Sequence, residues 1–297
     1  MSLASGSVLL KKAQKQHFAV PAFNSANLET AQAIIAAAEK QRAPVILQIT
    51  HKTIDFAGLE NTAHFVLPMI RDASAPIALH LDHGKDFETA RRAIASGFSS
   101  VMIDGSKLQL KQNIALTKRV VSLAHKFFVS VEAEVGALGE NNYTNPTEAL
   151  MFAASVPIDA LAIAVGTSHG AFKFSGKPKL NFSALEKIAS LVKLPLVLHG
   201  ASTVDARAIK KAKRFGLRLQ KTSGVPLSQI KKAIKLGIRK INIDTDLRLS
   251  FNTALREYLA KHKNDFDSRN ALAFARSALQ KTCETKIRQF GARGKAK

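Results

Sequence analysis

The sequence predicts an α/β fold of eight parallel strands that alternate with helices, with further helices after the last strand. Three observations predict it. Short apolar runs rich in β-branched residues recur along the 297 residues, and segments with helical spacing of apolar residues lie between them. Eight such units in fewer than 300 residues fit one (β/α)8 TIM barrel better than two doubly wound domains.

The predicted strands are near-continuously apolar, as expected for parallel strands that are buried on both faces. In chain order they are residues 18–23, 44–49, 76–81, 99–103, 127–135, 159–165, 195–199 and 240–243. Helical segments between them include "NLETAQAIIAAAEKQ", "DFETARRAIASG" and "KQNIALTKRVVSLAHK". Asn27 and Asp86 are expected to cap helices, and Gly97 is expected to end one.

The organisation predicted from composition is a single domain over residues 1–297, in which about 247–297 form a C-terminal helical extension with the basic tail "GARGKAK". The chain is 46% hydrophobic, enough for a large core. Its one cysteine, Cys283, excludes an internal disulfide framework and a cysteine-rich zinc site. The sequence shows no secretory signal and no apolar run of about 18 residues, so a soluble cytoplasmic protein is expected.

The chain is strongly basic, with a formal net charge of +22. Residues 203–240 contain twelve basic residues and one acid, Asp205. Such an excess points to an anionic partner, and nucleic acid is one hypothesis. The absence of Trp, of Cys/His finger spacing and of an aromatic-flanked RNA-binding strand favours a solvated basic face instead. A positive field would also concentrate small phosphorylated substrates.

Polar residues cluster where the predicted strands end. In a barrel this rim is where the βα loops meet and where catalytic residues are expected. The strand-end residues are Asp82 and His83 after the third strand, Asp104 after the fourth, Glu132 and Glu134 in the fifth, His169 after the sixth, His199 after the seventh, and Asn242 and Asp244 after the eighth.

Three of the nine histidines, His83, His169 and His199, end strands and are followed directly by glycine. Three imidazoles with one open position describe a catalytic zinc rather than a structural one. His80 shares the inward parity of Asp82 and is expected in the core or behind the metal ligands. The other five are expected to be structural or exposed: His17, His51, His64, His125 and His262.

Three segments, "SHGAFK", "HGAS" and "NIDTD", combine glycine or small hydroxyl residues with a following helix start. Backbone N–H groups in such segments can face an anion. In barrels a phosphate site often follows strands seven and eight, where "HGAS" and "NIDTD" fall. Each segment alone is also an ordinary turn, but their order along the chain favours a phosphate site.

The motifs "AFNSANLET", "LHLDHG", "VMIDGS", "VEAEVG", "VGTSHGAFKF", "LVLHGAS" and "KINIDTDLRLSF" together resemble the class II, zinc-dependent fructose-1,6-bisphosphate aldolases and their tagatose-bisphosphate relatives. The resemblance extends from about Leu9 to Lys295. It implies a lyase that cleaves or forms fructose 1,6-bisphosphate, a reaction of glycolysis and gluconeogenesis.

The resemblance implies specific roles for the strand-end residues. His83, His169 and His199 would bind the catalytic zinc, and Asp104 and Glu134 would help to hold it or a second divalent or monovalent cation. Asp82 would donate a proton to the aldehyde oxygen. Arg269 would reach the far phosphate in a neighbouring subunit, which implies a homodimer or homotetramer. The residues implied to hold dihydroxyacetone phosphate are Gly170, Gly200, Ala201, Ser202, Asn242, Ile243, Asp244 and Thr245.

The chain departs from the family in the loop after the fifth strand. Related aldolases carry a long mobile loop there that supplies a glutamate for proton transfer, whereas "GALGENNYTNP" is roughly ten residues shorter and holds one acid, Glu140. Glu140 is either that catalytic group or an exposed turn residue. A short loop would also exclude water less well on closing.

Two alternatives to a fructose-bisphosphate aldolase remain. With acids at Asp244 and Asp246, "NIDTDLR" resembles the fructose-specific branch of the family more than the tagatose branch, although the two sugars differ only at C4. A weakly active aldolase relative that binds anionic polymers through the 203–240 segment is the other hypothesis.

Overall fold

The computed structural model describes residues 2–137, 139, 142–167, 179–219 and 224–297. Eight parallel strands pair in chain order, and the last pairs with the first, so the sheet is a closed barrel. The predicted (β/α)8 TIM barrel is therefore confirmed. The strands are β1 Val20–Asn24, β2 Val45–Thr50, β3 Ile77–Gly84, β4 Ser100–Ile103, β5 Ser130–Val135, β6 Ala160–Ile163, β7 Leu196–Leu198 and β8 Ile238–Ile243.

Helices cover the outside of the barrel and the end at which the strands begin. Those of the described residues are α1 Gly6–Gln16, α2 Leu28–Gln41, α3 His51–Ala57, α4 Leu59–Asp72, α5 Phe87–Ala95, α6 Leu110–Ala124, α7 Pro146–Ser155, α8 Phe182–Leu191, α9 Ala206–Arg214, α10 Leu227–Lys235, α11 Thr245–Lys261 and α12 Ser268–Gln289. Among these residues, no helix is both long and apolar enough to span a membrane.

The helix caps follow the sequence pattern. The Asn27 side chain accepts a hydrogen bond from the Thr30 backbone N–H at 3.1 Å, and the Asp86 side chain accepts one from Thr89 N–H at 2.7 Å. Each satisfies a backbone donor that the first turn of a helix leaves unpaired. Gly97 follows the end of α5 with a φ of 89°, a left-handed conformation that favours glycine.

The fifth strand is shorter than expected. It begins at Ser130, because Phe127 lies in a short 3-10 turn after α6 and Phe128 adopts a φ of 58° that no strand can contain. Phe128 is 90% exposed, so this apolar pair belongs to a surface turn rather than to the core.

Two parts of the chain complete the barrel. Helix α1 packs under the amino ends of the strands, where the Gly6 backbone approaches the Ser100 and Ser130 hydroxyls so closely that a Cβ would lie 2.7 Å from each. Helix α12 packs along α2 and α11 and also touches β1. The C-terminal helices are therefore part of the wall outside the barrel and are in contact with its first strand.

The barrel interior contains a buried layer of polar side chains, one layer of inward-facing residues below the carboxyl ends of the strands. Inward-facing residues alternate along a strand, so His80, Glu132 and Lys240 lie two positions before Asp82, Glu134 and Asn242. Lys240 is fully buried, and its ammonium group donates to Glu132 Oε2 at 2.7 Å and to His80 Nε2 at 3.2 Å. His80 Nδ1 then bonds to the Ser100 hydroxyl at 2.7 Å. These contacts make burial of the charges tolerable.

Candidate metal centre and active site

A cavity of about 750 Å³ opens at the carboxyl ends of the strands. This is the end of a (β/α)8 barrel at which enzymes of this fold bind their substrates. Many of the residues singled out from the sequence meet there, although they come from five strands or the segments after them. Those that line the cavity are Asp82, His83, Asp104, Glu134, Gly200, Ser202, Asn242, Asp244 and Thr245.

Two imidazoles face each other at the base of the cavity. His83 Nε2 lies 2.9 Å from His199 Nδ1, and the rings meet edge to face with centroids 4.7 Å apart. His83 adopts a φ of 52°, an uncommon conformation for a non-glycine residue that turns the chain at the end of β3. His199 is fully buried after β7.

The outer nitrogen of each imidazole is bonded to a carboxylate. His83 Nδ1 lies 2.7 Å from Asp104 Oδ2, and His199 Nε2 lies 2.9 Å from Glu132 Oε1. Each carboxylate accepts a hydrogen bond from the N–H of its imidazole partner, so in neutral rings the two inner nitrogens present lone pairs to one another. Lone pairs at 2.9 Å repel unless a proton or a metal ion lies between or beside them. The arrangement is the one found where carboxylates orient metal-binding histidines.

Two groups of side chains can each offer three ligand atoms within 4.8 Å of one another. One is Asp82, His83 and His199, and the other is His83, Asp104 and Glu134. Imidazole nitrogens with carboxylate oxygens form a donor set that suits zinc and similar divalent ions. Glu134 Oε2 is buried and has no hydrogen-bond partner among the described residues, so this oxygen is available as a ligand atom. The donor set therefore fits a metal ion.

Asp104 and Asp82 are held in fixed orientations. Asp104 Oδ1 accepts hydrogen bonds from the Ser106 hydroxyl at 2.7 Å and from its backbone N–H at 3.1 Å. Asp82 is 4% exposed, and its two oxygens accept from the Asn24 amide at 3.1 Å and the Asn242 amide at 3.0 Å. Because Asp82 Oδ1 is 4.0 Å from His83 Nε2, this carboxylate lies beside the imidazole pair rather than behind it.

The electrostatics of the metal-free site favour bound protons. Burial raises the pKa of Glu134 to about 8. Burial also lowers the pKa of His83, but the neighbouring carboxylates of Asp82 and Asp104 outweigh it and raise that pKa to about 9. Burial raises the pKa of Asp104, yet its bond to His83 reverses this and holds the pKa well below its ordinary value. A cation at the centre would replace these protons.

The buried polar layer supports His199 from below. Glu132 is 3% exposed and bridges His199 to Lys240, whose side chain is fully buried. Burial and the positive charge of Lys240 lower the pKa of His80 well below its ordinary value, so His80 is neutral and accepts from Lys240. This network fixes which nitrogen of His199 carries the proton.

Another wall of the cavity is formed by backbone that follows β7 and β8. The Ser202 hydroxyl accepts from the Asp244 backbone N–H at 3.4 Å, which joins the two segments. Helix α11 begins at Thr245, so its first N–H groups and the positive end of its dipole lie at this wall. Gly200 has a φ of 62°, which glycine allows without strain. An anion is the ligand that such a wall favours.

Some predicted residues lie away from the cavity. Ala201 and Ile243 are fully buried, and neither side chain lines the cavity. Arg269 lies in the first turn of α12 at the surface, where it pairs with Asp267 at 2.7 Å, and its role toward a neighbouring copy stays a prediction. Glu140, His169 and Gly170 lie outside the described residues, so their roles stay predictions as well.

The structure adds residues that the sequence pattern did not single out. His51, expected to be structural or exposed, lines the cavity directly after β2 and accepts a hydrogen bond from the Lys85 backbone N–H at 3.2 Å. Its position at a strand end was the signal that could have identified it. The other added lining residues are Asn24, Thr50, Lys52, Lys85, Ser106, Lys107, Ala137 and Arg248.

The basic segment 203–240 is only partly a charged surface. Arg239 is 5% exposed and Lys240 is fully buried inside the barrel. Lys211 pairs with Glu257 at 2.6 Å. Lys210 and Lys213 are exposed on α9. The binding of anionic polymers to this segment stays a hypothesis with fewer available charges than the sequence suggested.

Comparisons with known proteins agree with the site geometry in pointing to an aldolase. The family model described as fructose-bisphosphate aldolase class-II matches residues 4–295. The fructose-bisphosphate aldolase of Thermus caldophilus is 41% identical, with 99% of this chain and all of that protein covered. That of Helicobacter pylori strain 26695 is 39% identical over 99% of each chain, and that of Nostoc sp. is 38% identical over all of this chain and 92% of that protein.

Solved structures agree at the level of the fold. The crystal structure of the YdjI aldolase from Escherichia coli K12 has a TM-score of 0.85 and 32% identity, covering 99% of this chain and 100% of that one. Fructose-bisphosphate aldolase from Campylobacter jejuni, at 22% identity, shares the fold with a TM-score of 0.80 over 99% of this chain and 97% of that one. The family model and the relatives over the full length show that this chain belongs to the class II fructose-bisphosphate aldolase family.

Proposed function

We propose that this chain is a metal-dependent ketose-bisphosphate aldolase that cleaves fructose 1,6-bisphosphate to dihydroxyacetone phosphate and glyceraldehyde 3-phosphate and catalyses the reverse condensation. One observation carries the proposal: His83 Nε2 and His199 Nδ1 face each other at 2.9 Å beside the buried Asp82 carboxylate. Relatives named fructose-bisphosphate aldolase at about 40% identity over the full length support it.

The residues that would hold the metal are His83 and His199, with His169 as a third imidazole, and Glu134 and Asp104 would support it or a second cation. When bound, Zn²⁺ would act as a Lewis acid and stabilise the negative charge that develops on the ketone side of the substrate. No lysine is needed as a covalent partner, since that charge is stabilised without a Schiff base. The buried Lys240 is accordingly available for a structural role.

Asp82 would move the proton on the aldehyde side. In cleavage its carboxylate accepts the proton of the C4 hydroxyl, the C3–C4 bond breaks, and its electron pair remains on C3 as an enediolate. In condensation Asp82 returns that proton to the aldehyde oxygen. The amides of Asn24 and Asn242 hold the carboxylate in place, so little reorganisation is needed. A second acid must protonate C3, and Glu140 is our candidate.

Substrate would be held by its phosphates. Backbone N–H groups near Gly200, Ser202 and Thr245, with Gly170, would bind the phosphate of the ketone fragment. Arg269 of a neighbouring copy would reach the other phosphate, which makes a homodimer or homotetramer part of the proposal. Binding at both ends supplies energy that orients the reacting centre between them. The four basic side chains at the cavity wall, Lys52, Lys85, Lys107 and Arg248, raise the local substrate concentration.

Fructose rather than tagatose bisphosphate is the proposed substrate, on the strength of the "NIDTDLR" segment and of the relatives' names. The two sugars differ at C4, whose hydroxyl is the group that Asp82 would contact, so one hydrogen bond can decide between them. We also propose that the chain acts in glycolysis and gluconeogenesis in the cytoplasm, where this reaction is used.

The test is a coupled assay on both bisphosphates, with metal analysis of the purified protein. We expect cleavage of fructose bisphosphate that a chelator abolishes, that added Zn²⁺ restores and that borohydride leaves unchanged. His83→Ala should lose metal and activity together, whereas the control His64→Ala, an exposed histidine outside the cavity, should keep both. Normal turnover by His83→Ala would refute the proposal, and faster cleavage of tagatose bisphosphate would change the substrate.

A further inference from the structure

The backbone after β7 is held from behind by a buried ion pair. Asp246, in the first turn of α11, accepts hydrogen bonds from the Thr203 and Val204 backbone N–H groups at 3.0 Å each. Lys286, on α12, completes the arrangement: its ammonium group is 3.1 Å from Asp246 Oδ1 and also donates to the Thr203 hydroxyl. One lysine thus bonds both to the carboxylate and to the segment that the carboxylate holds.

Little of either charged side chain is exposed to solvent. Asp246 is 8% exposed and Lys286 is 5% exposed. Charged hydrogen bonds in such surroundings are strong, and removing one partner leaves an unpaired buried charge. The pair is therefore a rigid support, unlike the exposed ion pair of Arg269 and Asp267 on the same helix.

The supported backbone is strained and would not keep its shape alone. Val204 has a φ of 38°, in the left-handed region that β-branched residues avoid. The Gly224 backbone packs so closely against the segment that a Cβ there would lie 2.2 Å from the Thr203 carbonyl carbon. Such strain persists only where surrounding contacts determine the conformation. Asp246 binds the N–H of the strained residue itself.

We infer that Lys286 is a positioning residue for the phosphate-binding wall, acting through Asp246 on residues 200–204. Gly200 and Ser202 line the cavity within this segment, and Thr245, which also lines it, is the neighbour of Asp246. The support thus joins both parts of the wall to a helix outside the barrel. The inference rests on the proposed function only in taking this wall as the phosphate site.

The test compares Lys286→Met with Lys286→Arg and with the control Lys281→Met. Lys281 is an exposed residue of the same helix that forms no ion pair with a described acidic residue, and both lysines line a cavity of about 610 Å³ that can accommodate methionine. The measurements are KM and kcat for fructose bisphosphate and the dissociation constant of inorganic phosphate by titration calorimetry. Tm is measured with and without phosphate.

For Lys286→Met we expect KM and the phosphate dissociation constant to rise about tenfold, with a smaller change in kcat, because a displaced wall weakens binding before it affects the metal side. Phosphate should then raise Tm less than in the wild type. Lys286→Arg should recover most of the affinity, and Lys281→Met should match the wild type. The quantity compared is the rise in Tm that phosphate causes, so the comparison remains valid if Lys286→Met has a lower Tm than the wild type without phosphate.

A folded Lys286→Met protein that binds phosphate as tightly as the wild type would overturn the inference, even with full aldolase activity. An equal loss of phosphate affinity in Lys281→Met would overturn it too, since the effect would then be one of surface charge. If the wild type fails to cleave fructose bisphosphate, the proposed function fails, and the phosphate titrations still decide the role of Lys286.

Discussion

Replacing Glu132 by glutamine tests whether the buried polar layer sets the metal affinity of His199. The Glu132 carboxylate accepts from His199 Nε2 at 2.9 Å and from Lys240 at 2.7 Å. A carboxylate behind a metal-binding histidine typically contributes 10- to 100-fold in metal affinity. We therefore expect Glu132→Gln to weaken metal binding by about 1.4 to 2.7 kcal/mol.

The same change removes the charge partner of Lys240, whose side chain is fully buried. Breaking a buried ion pair destabilises a protein by about 3 to 5 kcal/mol, because one charge is left unpaired. The double variant Glu132→Gln with Lys240→Met removes both charges, so most of the stability should return while the metal affinity stays low. The two effects can thus be separated.

The assays are competition with a chromogenic chelator for the metal dissociation constant, and urea unfolding of the metal-free proteins for the free energy of unfolding. Wild-type metal affinity in Glu132→Gln would refute the argument that this carboxylate fixes the His199 tautomer. Recovery of metal affinity in the double variant would do so as well, because it would assign the loss to the unpaired charge of Lys240.

Three further predictions concern proton transfer, pH and assembly. Asp82→Asn should bind metal normally but cleave fructose bisphosphate about 10²- to 10⁴-fold more slowly, as measured by kcat; metal loss would contradict this. The pKa of Glu134 is raised to about 8 and that of His83 to about 9, so the folded metal-free protein retains protons that the unfolded chain releases. Below about pH 6.5 this is offset by His80, which is neutral in the folded protein but protonated in the unfolded chain. The free energy of unfolding should therefore fall as the pH rises from about 6.5 to 9, and Glu134→Gln should flatten the lower part of that slope in urea titrations; an unchanged slope would contradict it. Arg269→Ala should raise KM for the bisphosphate without changing metal content, and in mixed oligomers with Asp82→Asn some activity should return, whereas purely additive activity would exclude a shared site.

The family motifs and the barrel could be predicted from local patterns. Strand-sized apolar runs alternate with helical segments, and this order alone limits the fold to very few topologies. Because parallel strands of a barrel end on one side, the sequence also placed Asp82, His83 and His199 at one rim. The boundary errors, such as the exposed Phe128, arose where apolar residues occupy a turn.

The roles of individual strand-end residues within the rim could not be predicted in the same way. Ala201 and Ile243 belong to the same short motifs as Ser202 and Asn242, yet their side chains face the core. His51 directly follows β2, but the sequence pattern does not single it out, because the glycine that follows His83, His169 and His199 is missing after it. A motif specifies which residues are near a site, and side-chain direction is decided by packing.

The sequence by itself determined the fold class, the family and the rim on which the chemistry lies, since these follow from periodicity and from motifs that are continuous in the chain. Only the tertiary structure decided that His83 and His199, 116 residues apart, face each other at 2.9 Å. It alone showed that Glu132 joins His199 to Lys240, and that Lys286 supports residues 200–204. Contacts between residues so far apart leave no local pattern, because closure of the barrel and docking of α12 create them.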